Sequence, residues 1–185
     1  MTTGLSDNVL TAAQSGDTVA LGRIYNDFAP KVVGYFTARG ADDPEGLSQE
    51  VFLSVLTQLN TVTNGMQGLR TFLFSVAHAR YVDDVRKRSR SPRQSPYDPA
   101  SDRRTSASAE DQAMNAIGGV AVELLKELAE AQREVLTLRI VADLPLAEVA
   151  GVMGQSVGSV KQLQRRGLAR LKELLGEEDS RHHGH

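Results

Sequence analysis

A short basic segment near the carboxyl end of the chain carries the side chains best suited to read nucleic acid. At about 100° per residue, one side of a helix there holds Lys161, Gln162, Arg165 and Arg166. Glutamine and arginine form paired hydrogen bonds with the edges of adenine and guanine. The spacing therefore predicts a DNA-reading helix with base-edge contacts from Gln162, Arg165 and Arg166.

A helix-turn-helix would present this basic face to the major groove of DNA. Apolar residues at helical spacing predict a first helix over 146–153, and Gly154 ends it where the chain needs a left-handed residue. Ser156 is placed to cap the second helix, whose apolar side spans 160–174 and is expected to include Leu168. Phosphate contacts are expected from polar residues along this helix: Ser156, Ser159, Lys161 and Arg170.

A second basic cluster ends a helix that is predicted near the middle of the chain. It consists of Arg86, Lys87, Arg88 and Arg90, more cations than the macrodipole of a helix requires at its carboxyl end. This cluster is expected to contact DNA phosphates. The formal net charge of −2 does not argue against DNA binding, because basic residues are concentrated in 70–104 and 156–175.

No arrangement of residues predicts catalysis. Asp83 and Asp84 point about 100° apart on a helix beside the basic cluster, so we expect them to be ion-paired at the surface. His78 is a lone histidine with an expected structural role. The polar tail 179–185 is histidine-containing and is predicted to be disordered. We expect no enzyme activity, no cofactor and no metal site.

Composition limits the class of protein. The chain has 185 residues, 41% of them hydrophobic, which suffices for one medium domain or two small ones. It has no cysteine, so disulfides and thiolate metal sites are excluded. No apolar run reaches the roughly 20 residues of a membrane span, and the amino terminus lacks a signal-peptide pattern. These features predict a soluble cytoplasmic protein.

The hydrophobic pattern predicts an all-α fold of two small helical domains joined by a flexible linker. A segment rich in serine, proline and arginine lacks apolar periodicity, so we place the linker at 91–112. The first domain is then 1–90 and the second 113–178, followed by the tail. A helix is expected from Asp111 to Leu128, although two adjacent glycines weaken it.

Four helices are predicted in the first domain. Asp17 is expected to cap the first, Pro30 to begin the second, which ends near Gly40, and Pro44 to begin the third, with Asp43 before it. The fourth is expected from about Leu69. The inward-facing residues of the third and fourth helices are predicted to be Val51, Phe52, Val55, Leu56, Leu59, Phe72, Leu73, Val76, Ala77, Tyr81 and Val85.

Several segments resemble extracytoplasmic-function (ECF) sigma factors of bacterial RNA polymerase. Residues 131–171, AQREVLTLRIVADLPLAEVAGVMGQSVGSVKQLQRRGLARL, resemble the fourth conserved region of that family. RIYNDFAPKVVGYF, LSQEVFLSVL and LRTFLFSVAHARYVDDVRKRSR are similar to its second region. The resemblance implies an alternative sigma factor: a region 2 helical bundle that binds the minus-10 element and a region 4 helix-turn-helix that binds the minus-35 element.

The resemblance also assigns roles within the first domain. It implies that the loop 60–68 captures an extruded base of the minus-10 element, with polar contacts from Asn60, Asn64 and Gln67. This loop has no aromatic residue, although many relatives have one. The resemblance places the contact with core polymerase on LSQEVFLSVL, through Gln49, Glu50 and Phe52, near Gly46 where relatives usually have aspartate.

The implied partners are promoter DNA and RNA polymerase core, through its beta-prime coiled coil and beta flap. The family commonly uses an anti-sigma factor, which is a further expected partner. Two alternative functions are compatible with the same sequence features. A stand-alone helix-turn-helix regulator would dimerise and bind palindromic half-sites by itself. An interaction module would bind polymerase without reading DNA.

Overall fold

Every regular element in the described part of the chain, residues 5–90 and 119–182 of the computed structural model, is a helix. This confirms the all-α prediction. None of these helices is long and apolar enough to cross a bilayer. In chain order the α-helices are α1 (Asp7–Gln14), α2 (Thr18–Ala38), α3 (Pro44–Thr57), α4 (Gly65–Arg90), α5 (Gly119–Lys126), α6 (Glu130–Ile140), α7 (Leu146–Met153) and α8 (Val157–His182), and a 3₁₀ turn spans Leu59–Thr61.

Helix α2 begins as predicted but is longer than expected. The Asp17 carboxylate accepts hydrogen bonds from the backbone N–H groups of Val19 and Ala20, at 2.8 and 3.2 Å. The prediction that Pro30 begins a new helix was wrong, because Pro30 lies inside α2. Proline in a helix interior costs about 3 kcal/mol or more. Burial of Phe28 on one side of it and Val32 on the other offsets that cost.

Helices α3 and α4 correct two further expectations. Helix α3 begins at Pro44, as predicted, and Asp43 caps it by accepting a hydrogen bond from the Gly46 N–H at 2.9 Å. Leu56 is 44% exposed rather than inward-facing, because the bundle covers only the side of α3 that holds Val51 and Val55. Helix α4 begins at Gly65, earlier than predicted, so part of the expected loop is its first turn.

Helices α1 to α4 form the N-terminal half, residues 5–90, around buried aromatic and aliphatic side chains. The predicted inward face of α4 is confirmed at Leu73, Ala77 and Tyr81, which are all buried. Val85 is 36% exposed, because it lies near the projecting end of α4. The largest fully buried side chains of this half are Tyr35, Phe28, Phe36, Phe74, Leu69 and Leu73.

Helices α5 to α8 form the C-terminal half, residues 119–182. Arg133 closes the carboxyl end of α5 by donating to the carbonyls of Leu125, Lys126 and Leu128 at 3.0, 2.6 and 3.1 Å. The expected helix from Asp111 to Leu128 is present from Gly119 to Lys126 and ends two residues earlier than predicted. Residues 111–118 lie outside the described ranges. The predicted linker, 91–112, also lies outside them.

The helix-turn-helix has the predicted geometry, with two corrections. Gly154 has a left-handed φ of 63°, and Ser156 Oγ accepts from the Ser159 N–H at 3.1 Å. Leu168 is 47% exposed, because α6 covers the side of α8 that holds Gly167 instead. The tail was expected to be disordered, yet α8 continues to His182. Each residue added to an established helix gains a backbone hydrogen bond, so α8 continues here although aspartate, serine and histidine are weak helix formers. Residues 183–185 lie outside the described ranges.

The two halves pack against each other. Helix α2 contacts α5 and α6, and α4 contacts α7. One apolar core includes Phe28 and Leu73 from the N-terminal half and Leu138 and Val149 from the C-terminal half. A smaller cluster joins Ala38 of α2 to Leu125, Leu128 and Leu136.

Candidate nucleic-acid interface

The exposed face of α8 carries the residues predicted to read DNA. Lys161, Gln162, Arg165 and Arg166 are all exposed, and Val160 on the opposite side is fully buried. Among the predicted phosphate contacts, Ser159 Oγ donates to Gln155 Oε1 at 2.9 Å, and Arg170 pairs with Glu173 at 3.1 Å. The side chains predicted to read bases therefore lie together on one surface.

Helix α6 holds this recognition helix in place. A Cβ atom on Gly167 would lie 2.9 Å from Leu136 Cδ1, so the absence of a side chain permits the close approach of α8 to α6. Arg139 of α6 donates to Gln164 Oε1 on α8 at 3.2 Å and to the carbonyl of Leu144 before α7. One arginine thus fixes both helices of the motif.

Helix α1 positions the loop before α4. Gln14 Nε2 donates to the carbonyls of Leu59 and Val62, both at 3.0 Å. Asp7 caps α4, because its Oδ1 atom accepts from the Met66 N–H at 2.8 Å. Gly68 must remain a glycine, since a Cβ atom there would meet the Thr63 carbonyl oxygen at 1.7 Å.

This loop and the start of α4 border a cavity of about 380 Å³. Asn64 and Gln67, two of the predicted base contacts, line it, and Asn64 has a left-handed φ of 64°. Asn60 does not line it and is exposed on the 3₁₀ turn. A volume in this range suits a small planar ligand. The remaining lining residues are Thr61, Val62, Thr63, Gly68, Thr71, Phe72 and Glu148.

Phe72 is the residue at this cavity that the sequence reasoning missed. It was assigned to the apolar side of α4, and the loop itself has no aromatic residue. The structure leaves Phe72 half-buried among the residues that line the cavity, so it brings an aromatic side chain to this site. The signal was available in the spacing, because residue 72 follows Gly68 by four positions and therefore lies on the same face of α4.

The basic cluster at the end of α4 is exposed, as predicted. Arg86 lies 4.0 Å from Asp83, and Arg88 lies 2.9 Å from Asp84 and 3.2 Å from Asp42. The prediction that the two adjacent aspartates are ion-paired is confirmed. Lys87 and Arg90 project from the same end of the helix and are exposed.

The surface of α3 differs from the predicted polymerase contact in one residue. Gln49 and Glu50 are exposed, and Glu50 lies 3.7 Å from Arg80. Phe52 is only 4% exposed, and its ring packs 4.8 Å from the ring of Tyr25. Phe52 therefore packs beneath this surface and is not exposed on it. The apolar residue that the sequence reasoning missed here is Leu53, which is 69% exposed.

A buried ion network joins the two halves. The Arg39 and Glu134 side chains are each only 3% exposed and form a direct ion pair. Glu134 Oε1 accepts from Tyr35 Oη at 2.8 Å and lies 3.1 Å from Nδ1 of His78. Burial and then the charge of Arg39 lower the pKa of His78, so the imidazole is neutral and donates to the carboxylate. Burial also raises the pKa of Tyr35.

The aromatic ring of Tyr81 completes this network. The guanidinium carbon of Arg39 lies 4.2 Å from the centre of that ring, and Tyr81 Oη donates to the Arg39 carbonyl at 2.9 Å. Arg39 Nη2 also reaches Glu130 Oε1 at 3.0 Å, and Glu130 is largely exposed. His78, predicted to be structural, thus lies at the contact between the halves.

Known proteins resemble this chain over most of its length. The profile of sigma-70 region 4 matches residues 124–173, which include the helix-turn-helix. The ECF RNA polymerase sigma factor SigD of Mycobacterium tuberculosis is 34% identical over 177 residues, which cover 91% of this chain and 83% of SigD. The chain belongs to the ECF sigma factor family.

Two further comparisons agree with this membership. The ECF RNA polymerase sigma factor RpoE of Cereibacter sphaeroides is 29% identical over 162 residues, covering 86% of this chain and 88% of RpoE. The structure of CnrH in complex with the cytosolic domain of CnrY matches with a TM-score of 0.63 and 20% identity, over 92% of this chain and 97% of CnrH, and shows the same fold.

This sigma factor is accordingly a DNA-binding transcription initiation factor that directs RNA polymerase to promoters. The surfaces described above can therefore be considered as candidate contacts of a sigma factor. Family membership also removes the support for the alternative of a stand-alone helix-turn-helix regulator.

Proposed function

We propose that this ECF sigma factor captures a base of the minus-10 element in the cavity beside α4 and reads the minus-35 element with α8. The single observation that carries the proposal is the composition of the cavity. The Gln67 amide and the Thr71 hydroxyl lie beside the flat ring of Phe72, in a volume that suits one base. Capturing an unstacked base requires hydrogen-bonding groups and a stacking surface together, because unstacking costs a few kcal/mol.

The two promoter contacts belong to different halves of the chain. The domain limits that we propose are 1–90 for minus-10 and core binding, 91–112 for the linker and 113–178 for minus-35 binding. Phosphates next to the minus-10 element are bound by the basic cluster: Arg86, Lys87, Arg88 and Arg90. Two weak contacts on one tether raise each other's effective concentration, and core polymerase positions both.

Core polymerase is proposed to dock on the exposed side of α3. Gln49 and Glu50 supply polar contacts, and Leu53 adds an exposed apolar side chain one turn away. The family resemblance assigns this surface to the beta-prime coiled coil. Leu53→Asp should abolish co-purification with core, and Gln58→Asp, at the exposed residue that follows α3, is the matched control.

An inhibitory protein partner is also proposed. CnrH, which shares this fold, was solved with the cytosolic domain of CnrY bound to it. The present chain exposes Val19, Leu53 and Leu175 by 64, 69 and 48%. Such side chains suit a protein surface. Purification of the chain from its native cells, with identification of co-purifying proteins, tests this partner.

In vitro transcription with purified core polymerase tests the proposed function as a whole. Start sites should depend on addition of this chain, and promoters mapped in this way supply the minus-10 and minus-35 sequences. Gln67→Ala should reduce transcription from fully duplex promoters more than transcription from templates that already carry an unpaired bubble at the start site. The reason is that capture of the minus-10 strand drives the opening of the duplex. Equal activity of the Gln67→Ala protein and the unaltered protein on every duplex promoter would contradict the minus-10 assignment.

A further inference from the structure

The packing of the two halves places an acidic side chain at the proposed minus-10 cavity. Glu148 of α7 lines this cavity, and its Oε2 atom lies 3.4 Å from Gln67 Nε2. Gln67 is one of the groups proposed to bind the captured base. A carboxylate on that amide competes with the base for its donor, and its charge repels the phosphates of an approaching strand. The cavity is therefore unsuited to DNA while α7 remains in this position.

The buried ion network holds α7 there. Glu134 lies on α6, whereas all its polar partners, Arg39, Tyr35 and His78, belong to α2 and α4. A buried carboxylate with three partners fixes how the closed halves pack, since any other packing of the same surfaces leaves a buried charge without its partner. Arg70 and Asp143, 3.4 Å apart, form a second, more exposed link between the halves.

Apolar packing accompanies this ion network. Ala38 at the end of α2 is fully buried against Leu125, Leu128 and Leu136 of the C-terminal half. Separation of the halves would expose these side chains and return Arg39 and Glu134 to water. The closed form, in which the two halves pack together, therefore has an apolar core of its own. The equilibrium between this form and an open one is sensitive to the single buried charge of Glu134.

We propose that Glu134 and Glu148 make this sigma factor autoinhibited: Glu134 latches the C-terminal half onto the N-terminal half, and Glu148 then masks the minus-10 cavity. This inference rests on the proposed minus-10 role of the cavity. Free chain binds single-stranded promoter DNA in proportion to its small open fraction, so the apparent affinity is reduced by that fraction. Binding of core polymerase to the open form relieves the mask.

Two substitutions separate the latch from the mask. Glu134→Gln keeps the size of the side chain and removes the charge that faces Arg39, so it should open the chain. Glu148→Ala removes both the charge and the acceptor at the cavity, and Glu148 is only half-buried, so this substitution should unmask the cavity of the closed form. Glu130→Gln is the matched control, because Glu130 also reaches Arg39 but is 66% exposed.

Opening is measured independently of DNA binding. The chain has no native cysteine, so Thr57→Cys on α3 and Ala169→Cys on α8, both at exposed positions, accept one spin label each. Double electron–electron resonance on the free, labelled protein should give one narrow distribution of distances between the two labels when Glu134 is intact. The Glu130→Gln variant should give the same narrow distribution. Glu134→Gln should give longer, broader distances. A broad distribution with the latch intact, or a narrow one in Glu134→Gln, would overturn the latch.

The mask is measured with the non-template single strand of a promoter mapped by transcription. Free Glu134→Gln and Glu148→Ala proteins should bind this strand at least tenfold more tightly than the unaltered chain. Opening without tighter binding would overturn the mask. Gln67→Ala added to Glu134→Gln should reverse the gain. If it does not, the proposed minus-10 site is wrong, although the distance measurements still decide the latch.

A reversible lock keeps the proposal testable if Glu134→Gln does not fold. Arg70→Cys combined with Asp143→Cys places one thiol on each half at their exposed ion pair, away from the groups proposed to bind the base. A short bifunctional methanethiosulfonate reagent can join these two thiols through disulfide bonds. With core polymerase present, the cross-linked double variant should fail to open a promoter, and a reductant should restore opening. Each single variant should be insensitive to reductant. Full promoter opening by the cross-linked protein would refute autoinhibition.

Discussion

Replacement of Phe72 tests the proposed base capture most directly. Phe72→Leu keeps an apolar side chain of similar bulk, so α4 should remain packed, but it removes the flat face at the cavity. Stacking of a base on an aromatic side chain contributes about 1–3 kcal/mol, as measured by truncation. We therefore expect the affinity of the sigma factor–core complex for the minus-10 single strand to fall by about 5- to 150-fold.

The magnitude depends on the position of the ring. Phe72 is half-buried, so part of it serves the core, and Leu should retain that part. The loss is therefore expected to appear in strand binding and to leave the thermal midpoint of unfolding nearly unchanged. Phe74, two residues away, is fully buried and points elsewhere, so Phe74→Leu is the matched control for packing alone.

Fluorescence anisotropy with a labelled non-template strand and reconstituted holoenzyme measures this effect. A double-stranded minus-35 fragment provides the internal reference, because its contacts belong to α8 and should not change. Phe72→Tyr, which keeps the ring, should bind the strand far better than Phe72→Leu. Equal strand affinities for Phe72→Leu and the unaltered protein would refute the argument that the ring stacks on a captured base.

Three other predictions concern separate elements. Arg166→Ala should weaken minus-35 duplex binding by about 1–3 kcal/mol and relax specificity at one base pair. Arg170→Ala, by contrast, should weaken binding to all duplexes alike. Identical footprints for the two variants would contradict the base-reading role of Arg166. Asp7→Ala should lower the free energy of unfolding by about 0.5–2 kcal/mol in urea titrations, because the α4 cap is lost, and Asp7→Asn should lose less. Stability should fall as pH drops below about 6.5, since the lowered pKa of His78 lets the unfolded chain bind a proton that the folded chain excludes; His78→Gln should flatten the urea midpoint across that range.

The sequence predicted the local elements because their signals are local. Asp17 and Ser156 lie directly before their helices, and each accepts hydrogen bonds from the first turn. Gly154 is placed where a left-handed residue must end α7. Pro30 shows the limit of such signals, because a residue that usually begins a helix lies inside one when apolar packing on both sides overrides it.

The candidate sites were predicted in part for the same reason. The reading face of α8 follows from helical periodicity and was found at the surface as expected. The exposed surface of α3 was predicted less completely. Helical periodicity indicates which side of a helix is buried, but it does not indicate how far neighbouring elements cover that side. Phe52 and Leu53 are adjacent in sequence, yet one is 4% and the other 69% exposed.

By itself the sequence determined that this protein is helical, that it reads DNA through a helix-turn-helix, and that it is an ECF sigma factor. Caps, turns and apolar spacing act over a few residues, so they can be read directly from the chain. Only the tertiary structure decided that Phe72 borders the cavity and that Glu148 lies on Gln67 there. It also decided that Glu134 is buried against Tyr35, 99 positions away. These arrangements depend on contacts between distant segments, which no local pattern of residues records.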